Sequence, residues 1–128
     1  MTYLAYFDGS AQPNPGKKKI GGAIYTPTGM LLWNFTEETG HGTNNEAEYE
    51  ALVRICEFIK NNNIWKVDIK GDSMLVVSQV NGKWKCNKPS LYNLKNKVLN
   101  LLKGITFTLT HVPREQNTEA DMLSKKGS

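Results

Sequence analysis

The feature that most constrains the fold is a change in hydrophobic period near residue 43. Before it, three short segments rich in aliphatic and aromatic residues are separated by turn-forming residues, at 3–8, 20–26 and 30–35. Such segments are typical of β-strands, and Pro27 with Gly29 predicts a hairpin turn between the second and third. After it, apolar residues recur at helical spacing to about residue 60, which predicts a helix capped by Thr43 or Asn44. A sheet therefore begins with three strands before the first helix.

The rest of the chain alternates strands and helices. The pattern predicts a strand at 65–72, a short helix at 73–80, a basic loop at 81–88, a helix at 91–102, a strand at 105–112 and a final helix at about 117–125. This order, β-β-β-α-β-α-α-β-α, predicts an α/β fold with a mixed sheet, antiparallel at first and joined by parallel crossovers later. With 128 residues, the chain is expected to form one domain over 1–128.

Composition excludes several classes of protein. Hydrophobic residues make up 39% and charged residues 22% of the chain, which is typical of a globular protein. No apolar run reaches membrane-spanning length, and the first residues do not form a signal peptide, so we expect a cytoplasmic protein. Cys56 and Cys86 lack zinc-site spacing and are expected to be free thiols. The net charge of +4 is compatible with a nucleic-acid partner.

Glu48 is the most informative residue on physical grounds alone. At helical spacing it shares a face with Leu52, Ile55 and Ile59, which are expected in the core. A carboxylate directed toward a core is costly unless it is paired, hydrogen-bonded or bound to metal. The alternative is a half-exposed position near the helix start, stabilised by the helix dipole. The pattern leaves both interpretations open.

Two aspartates stand at predicted strand ends. Asp8 ends the first strand, at the edge where sheets with parallel crossovers usually bind ligands. Asp72 ends the strand at 65–72, and its structural alternative is to cap the following helix. Asp68, in the middle of that same strand, is expected on the polar face, either in a cross-strand ion pair or simply exposed.

Asp121 lies in the predicted final helix, where a first-turn acid would complement the helix dipole. If Asp8, Glu48, Asp72 and Asp121 meet, they form an all-oxygen site suited to Mg²⁺ or Mn²⁺. Without metal these carboxylates would repel one another and their pKa values would rise. With two divalent ions such a site becomes a clamp for phosphoryl transfer.

Four motifs in order carry a resemblance to a known family. They are DGSAQPNPG at 8–16 followed by GGA, TNNEAEYEAL at 43–52, GDS with LVVSQVNGKWK at 71–85, and REQNTEAD at 114–121. Over nearly its whole length the chain resembles type 1 ribonuclease H. The resemblance implies a five-stranded mixed sheet flanked by helices, the ribonuclease H-like fold. It also implies that Asp8, Glu48, Asp72 and Asp121 are the catalytic acids and hold two Mg²⁺ ions, with Mn²⁺ as a substitute.

The implied reaction is endonucleolytic hydrolysis of the RNA strand of an RNA/DNA hybrid, leaving 3′-hydroxyl and 5′-phosphate ends. By similarity the hybrid would be contacted by residues of the first strand, the following turn and the helix start: Gly9, Ser10, Asn14, Thr43, Asn44 and Asn45. Asparagine and threonine suit such contacts because they form hydrogen bonds without selecting a base sequence. Locally, Asn14 also suits a turn and Thr43 or Asn44 a helix cap, and both roles can hold together.

Two segments depart from the longer members of the family. The basic loop at 81–88 is too short for the extra helix and basic protrusion of those members. We expect Lys83, Lys85 and Lys88 around Trp84 to be a reduced substitute for that protrusion, although Trp84 fits a core anchor equally well. His111 has the spacing of the family's mobile catalytic histidine, but it ends a predicted strand, and Arg114 competes for that role.

Two other functions remain as alternatives. One is a nuclease of the same fold that acts on a different nucleic-acid structure, and the other is a non-catalytic nucleic-acid-binding module. The second is disfavoured because a pure binder gains nothing from acids gathered where phosphates approach. We expect a monomer with no membrane contact and no obligate protein partner.

Overall fold

A computed structural model describes residues 1–117. The strands are β1 (Tyr3–Gln12), β2 (Gly16–Tyr25), β3 (Leu31–Gly42), β4 (Lys66–Gly71) and β5 (Thr106–His111). The helices are α1 (Asn44–Asn61), α2 (Met74–Val80) and α3 (Pro89–Leu101), and a 3₁₀ turn covers Arg114–Gln116. The predicted helix at 117–125, with Asp121, lies outside the described residues apart from Asn117.

The five strands form one mixed sheet in the order β3-β2-β1-β4-β5. Neighbours among the first three strands are antiparallel, whereas β1 pairs with β4, and β4 with β5, in parallel. The predicted fold class and element order are confirmed over the described residues. Because β1 is central, its residues up to Phe7 are flanked by antiparallel β2 on one side and by parallel β4 on the other.

The first three strands are longer than predicted. The expected loop after Asp8 is mostly strand, because β1 continues to Gln12, which pairs with Lys17 of β2. Similarly, β3 continues to Gly42, opposite Gly16. These strand ends carry Gly, Ser, Lys and Thr and so lack apolar alternation. Ladder hydrogen bonds involve only the backbone, so pairing extends beyond the hydrophobic pattern.

Helix α1 covers the centre of the sheet. Its apolar face, which includes Leu52, Ile55 and Ile59, is fully buried against a core that contains Phe7 of β1 and Ile69 of β4. Helix α3 packs beside α1. The predicted core-facing stripe of α1 is therefore confirmed, and it fixes the rotation of the helix about its own axis.

Short polar side chains define where α1 and α2 begin. Thr43 is the N-cap of α1: its Oγ1 accepts a hydrogen bond from the backbone N–H of Glu46, whose carboxylate accepts one from the Thr43 N–H. Ser73 caps α2 by accepting from the Val76 N–H at 3.3 Å. The alternative role of Asp72 as a helix cap is therefore wrong, because the next residue performs it.

Candidate metal and nucleic-acid site

Asp8 and Asp72 are brought together by the parallel pairing of two strands. In the β1–β4 register, Phe7 lies opposite Gly71. Each of these residues is followed directly by an aspartate, so the two carboxylates lie side by side at the edge where the parallel pairing of β1 with β4 ends. The prediction that Asp8 ends the first strand is wrong, because β1 continues to Gln12. This is the edge at which sheets with parallel crossovers usually bind ligands.

Glu48 reaches the two aspartates because α1 lies unusually close to β1. At Gly9, a Cβ atom would lie only 2.3 Å from the carbonyl oxygen of Ala47, so a side chain cannot fit there. Across this contact the Gly9 N–H donates a hydrogen bond of 2.9 Å to Glu48 Oε1. Glu48 is buried, which excludes the half-exposed alternative. It faces the sheet edge rather than water.

The three carboxylates form one compact cluster. Asp8, Glu48 and Asp72 each offer an oxygen, and these oxygens lie within 4.8 Å of one another. The Asp72 side chain is 3% exposed, yet neither of its oxygens receives a hydrogen bond within the described chain. Burial raises the pKa of Glu48 well above its ordinary value, and the charges of Asp8 and Asp72 raise it further.

These properties fit a divalent cation. A buried carboxylate without a donor is costly, and a cluster of three is costlier because like charges repel. A cation at the cluster removes both costs, and oxygen-only ligands favour hard ions such as Mg²⁺ over zinc. Asp121 lies outside the described residues, so the structure brings together three of the four predicted acids.

Arg114 brings a positive charge to the cluster. Its Nε lies 3.6 Å from Asp72 Oδ2, and its side chain is 68% exposed. His111 is the last residue of β5 and is half-buried; it pairs with Gly71, the residue before Asp72. His111 is therefore held on the sheet, whereas the chain beyond β5 brings Arg114 back over the acids.

Most predicted substrate contacts surround one cavity of about 320 Å³ that opens onto the acids. It is lined by Asp8, Gly9, Ser10, Ala11, Gln12, Pro13, Asn14, Asn44, Glu48 and Arg114. Thr43 and Asn45 flank Asn44 at the start of α1. Four of the six predicted substrate residues, Gly9, Ser10, Asn14 and Asn44, therefore line the cavity, and the other two adjoin Asn44 in the sequence.

Asn14 and Asn44 also form hydrogen bonds between the end of β1, the β1–β2 turn and the start of α1. The Asn44 N–H donates to Asn14 Oδ1 at 3.0 Å, and Asn44 Oδ1 accepts from the Ala11 N–H at 2.6 Å. These bonds tie the β1–β2 turn to the start of α1. The local roles that the sequence suggested for these residues therefore coexist with a position at the cavity.

Asn117 has a role near the site that sequence reasoning missed. It is buried, and its Nδ2 donates a hydrogen bond of 2.9 Å to the carbonyl oxygen of Phe7, the residue before Asp8. This bond holds the last described residue against the middle of β1, next to Asp8. Its position within the REQNTEAD motif was the available clue.

Other predicted residues also have defined positions. Asp68 lies on the polar side of β4, where it accepts a hydrogen bond of 2.8 Å from Thr108 and forms no ion pair with residues 1–117. Trp84 is 50% exposed and so is not a core anchor. Cys56 and Cys86 are free thiols, as expected. Within residues 1–117, no helix has the length and apolar character needed to cross a membrane.

Comparison with known proteins gives the family. A family model described as "Reverse transcriptase-like" matches residues 6–127. Ribonuclease HI of Halobacterium salinarum is 35% identical over 123 residues, covering 95% of this chain and 62% of that protein. YpeP of Bacillus subtilis is 34% identical over 127 residues, covering 94% of this chain and 56% of that protein. The chain thus spans less than two thirds of the length of these relatives.

Two solved structures agree closely with the fold. The crystal structure of RNase H1 from H. salinarum superposes with a TM-score of 0.94 at 34% identity, covering 98% of this chain and 96% of that one. LC11-RNase H1, crystallised in complex with an RNA/DNA hybrid, gives a TM-score of 0.88 at 33% identity, with coverages of 94% and 92%. By sequence match, sheet topology and motifs, the chain belongs to the reverse transcriptase-like family and is similar to the type 1 ribonucleases H of that family.

Proposed function

We propose that this chain is an endoribonuclease that hydrolyses the RNA strand of RNA/DNA hybrids with the help of divalent metal ions. The observation that carries the proposal is the buried cluster of Asp8, Glu48 and Asp72, whose oxygens lie within 4.8 Å of one another. A relative of the same fold was crystallised with an RNA/DNA hybrid, which supports the choice of substrate. The products are expected to carry 3′-hydroxyl and 5′-phosphate ends.

Asp8, Glu48 and Asp72, with Asp121, would hold two Mg²⁺ ions, or Mn²⁺ in their place. When bound, two such ions activate water and stabilise the leaving oxygen of a phosphodiester. The protein's own part is to hold the ligands ready: parallel pairing aligns the two aspartates, and the Gly9 N–H orients Glu48. Arg114, in contact with Asp72, offsets the negative charge that builds up where a phosphate arrives.

Recognition of the hybrid would come from the cavity around the acids. Discrimination of RNA from DNA requires a contact to the 2′-hydroxyl, which we assign to Glu48 and to the backbone at Gly9 and Ser10. Because the Gly9 N–H already donates to Glu48, the contact to the 2′-hydroxyl would be made by the other polar groups of Gly9 and Ser10. Asn14 and the Thr43–Asn45 segment would contact the two backbones of the hybrid across the minor groove.

We further propose that residues 1–128 act as a single catalytic domain, as a monomer in the cytoplasm. The five described strands form one sheet, and the strands and helices share one hydrophobic core, which supports a single domain. Sedimentation of the purified chain tests whether it is a monomer.

The test is incubation of the chain with an RNA/DNA hybrid, duplex RNA and duplex DNA of one sequence, with Mg²⁺, Mn²⁺ or EDTA. Cleavage confined to the RNA of the hybrid and blocked by EDTA is expected, and extension of the products by a polymerase would identify 3′-hydroxyl ends. Asp8→Asn should lower the rate about 10³-fold, as removal of a metal ligand does. Asp68→Asn, the same change at a surface position, is the matched control. Cleavage of duplex DNA would favour another nuclease, and binding without cleavage a binding module.

A further inference from the structure

A buried hydrogen-bonded bridge connects α1 to the basic loop at 81–88. Tyr49, the residue after Glu48, is fully buried, and its hydroxyl donates a hydrogen bond of 2.7 Å to Gln79 Oε1 of α2. The Gln79 Nε2 in turn donates to the carbonyl oxygen of Lys85 at 3.1 Å. The bridge therefore runs from the helix that carries an acid of the site, through a second helix, to the backbone of the loop.

The neighbouring loop residues are tied to the same place. Burial raises the pKa of Tyr49 above its ordinary value, and the neighbouring Cys86 side chain raises it further. The backbone N–H groups of Lys83 and Trp84 both donate to the carbonyl oxygen of Ser78. Three consecutive residues of the loop, Lys83, Trp84 and Lys85, are thus hydrogen-bonded to α2.

The bonds hold the loop's backbone while its charged side chains stay free. Lys83, Lys85 and Lys88 are exposed, and Trp84 is 50% exposed. Lys88 is close enough to the first turn of α1 for its charge to help lower the pKa of Glu46. The hydrogen bonds through Gln79 place the loop close to Tyr49 in α1, the helix on which Asn44 and Glu48 border the cavity.

We propose that Tyr49 and Gln79 are positioning residues that hold the basic loop where its lysines meet the phosphate backbone of a hybrid bound at the acids. The proposal rests on the proposed function for its substrate and on the observed hydrogen bonds for its mechanism. A loop without regular structure loses conformational entropy when it is ordered by a ligand. If two buried side chains order it beforehand, that loss no longer weakens binding.

The first experiment tests the bridge without any activity. Tyr49→Phe removes only the hydroxyl, and Gln79→Leu removes the link to Lys85 while leaving Tyr49 and Cys86 in place. The rate at which iodoacetamide alkylates Cys86, read by mass spectrometry of each peptide, should rise about fivefold in both variants, the size expected for one lost hydrogen bond. Fully buried Cys56 serves as the internal control for global unfolding. Tyr3→Phe, a half-buried tyrosine at the start of β1, is the matched control.

The second experiment measures hydrolysis of a hybrid by the same variants. KM should rise about fivefold while kcat stays within twofold, because the loop contributes to binding and not to the reacting atoms. Tyr3→Phe should change neither constant. A rise in KM that disappears at high salt would identify the loop's lysines as the groups displaced.

The outcomes separate the proposals. Unchanged alkylation of Cys86 in both variants overturns the bridge, and faster alkylation with unchanged KM overturns the positioning role. If the alkylation rates of Cys56 and Cys86 both rise in Gln79→Leu, that variant is unfolded. The result for Tyr49→Phe then decides whether the bridge holds the loop. A wild-type chain that cleaves no hybrid contradicts the proposed function, and the alkylation rates still decide whether the bridge holds the loop.

Discussion

Replacement of Gly9 by alanine tests whether the contact between β1 and α1 sets the geometry of the site. The new Cβ would lie 2.3 Å from the Ala47 carbonyl oxygen, 2.4 Å from its carbonyl carbon and 2.7 Å from the Glu48 nitrogen. To reach ordinary contact at 3.4 Å from the oxygen, it must move away by about 1.1 Å. All three obstructing atoms are backbone atoms, so the helix as a whole has to shift relative to the strand.

That shift carries Glu48 away from the aspartates. Misplacement of a catalytic group by about 1 Å can lower a rate about 10²-fold, and overpacking of a core contact costs about 1–3 kcal/mol of stability. Gly9→Ala should therefore show both effects, read as kcat/KM on a hybrid and as the free energy of unfolding in urea. The Gly9–Glu48 hydrogen bond would also lengthen or break.

The control is Gly104→Ala. Gly104 has a φ of +80°, and a Cβ added there would meet no atom within 4 Å, so alanine adds backbone strain of about 1–2 kcal/mol without touching the site. This variant should lose stability but keep its hydrolytic rate. Hydrolysis by Gly9→Ala at the wild-type rate would refute the reasoning, since Glu48 would then not depend on the close approach of α1 to β1.

Other predictions concern charge at the site. Because burial and its acidic neighbours raise the pKa of Glu48, the folded chain keeps a proton that the unfolded chain loses above about pH 4.5. The free energy of unfolding in EDTA should therefore fall as the pH rises from about 4.5 through the pKa of Glu48 in the folded chain. Urea unfolding curves of Glu48→Gln should not show this fall. Mg²⁺ at 100 times its dissociation constant should stabilise the chain by about 2.7 kcal/mol, and thermal melts of Asp72→Asn should show a smaller gain. Arg114→Ala should lower kcat more than His111→Ala, because Arg114 contacts Asp72 and His111 ends a strand; equal losses in a steady-state assay would contradict this.

Much of the architecture was predictable because it depends on hydrophobic pattern. The stripe formed by Leu52, Ile55 and Ile59 located α1 and the side that it buries, and the apolar segments located all five strands. The strand ends were not predictable in this way. Residues such as Gln12 and Lys17 pair through backbone hydrogen bonds, to which apolar alternation gives no guide.

The site was likewise predictable only in part. The identity and order of the acids, and the family they resemble, were determined by the residues alone. For Glu48 the helical period placed the carboxylate on a core-facing stripe but left burial and exposure equally open. For Asp72 the sequence allowed a helix cap, which Ser73 takes instead.

What the tertiary structure alone decided is which groups meet. Pairing of β1 with β4 sets Asp8 beside Asp72, although 64 positions separate them, and the missing side chain of Gly9 lets α1 bring Glu48 to both. The link from Tyr49 through Gln79 to the basic loop likewise joins segments far apart in the chain. Local sequence patterns report the periodicity of one segment, whereas contacts of this kind depend on the register and separation of packed elements.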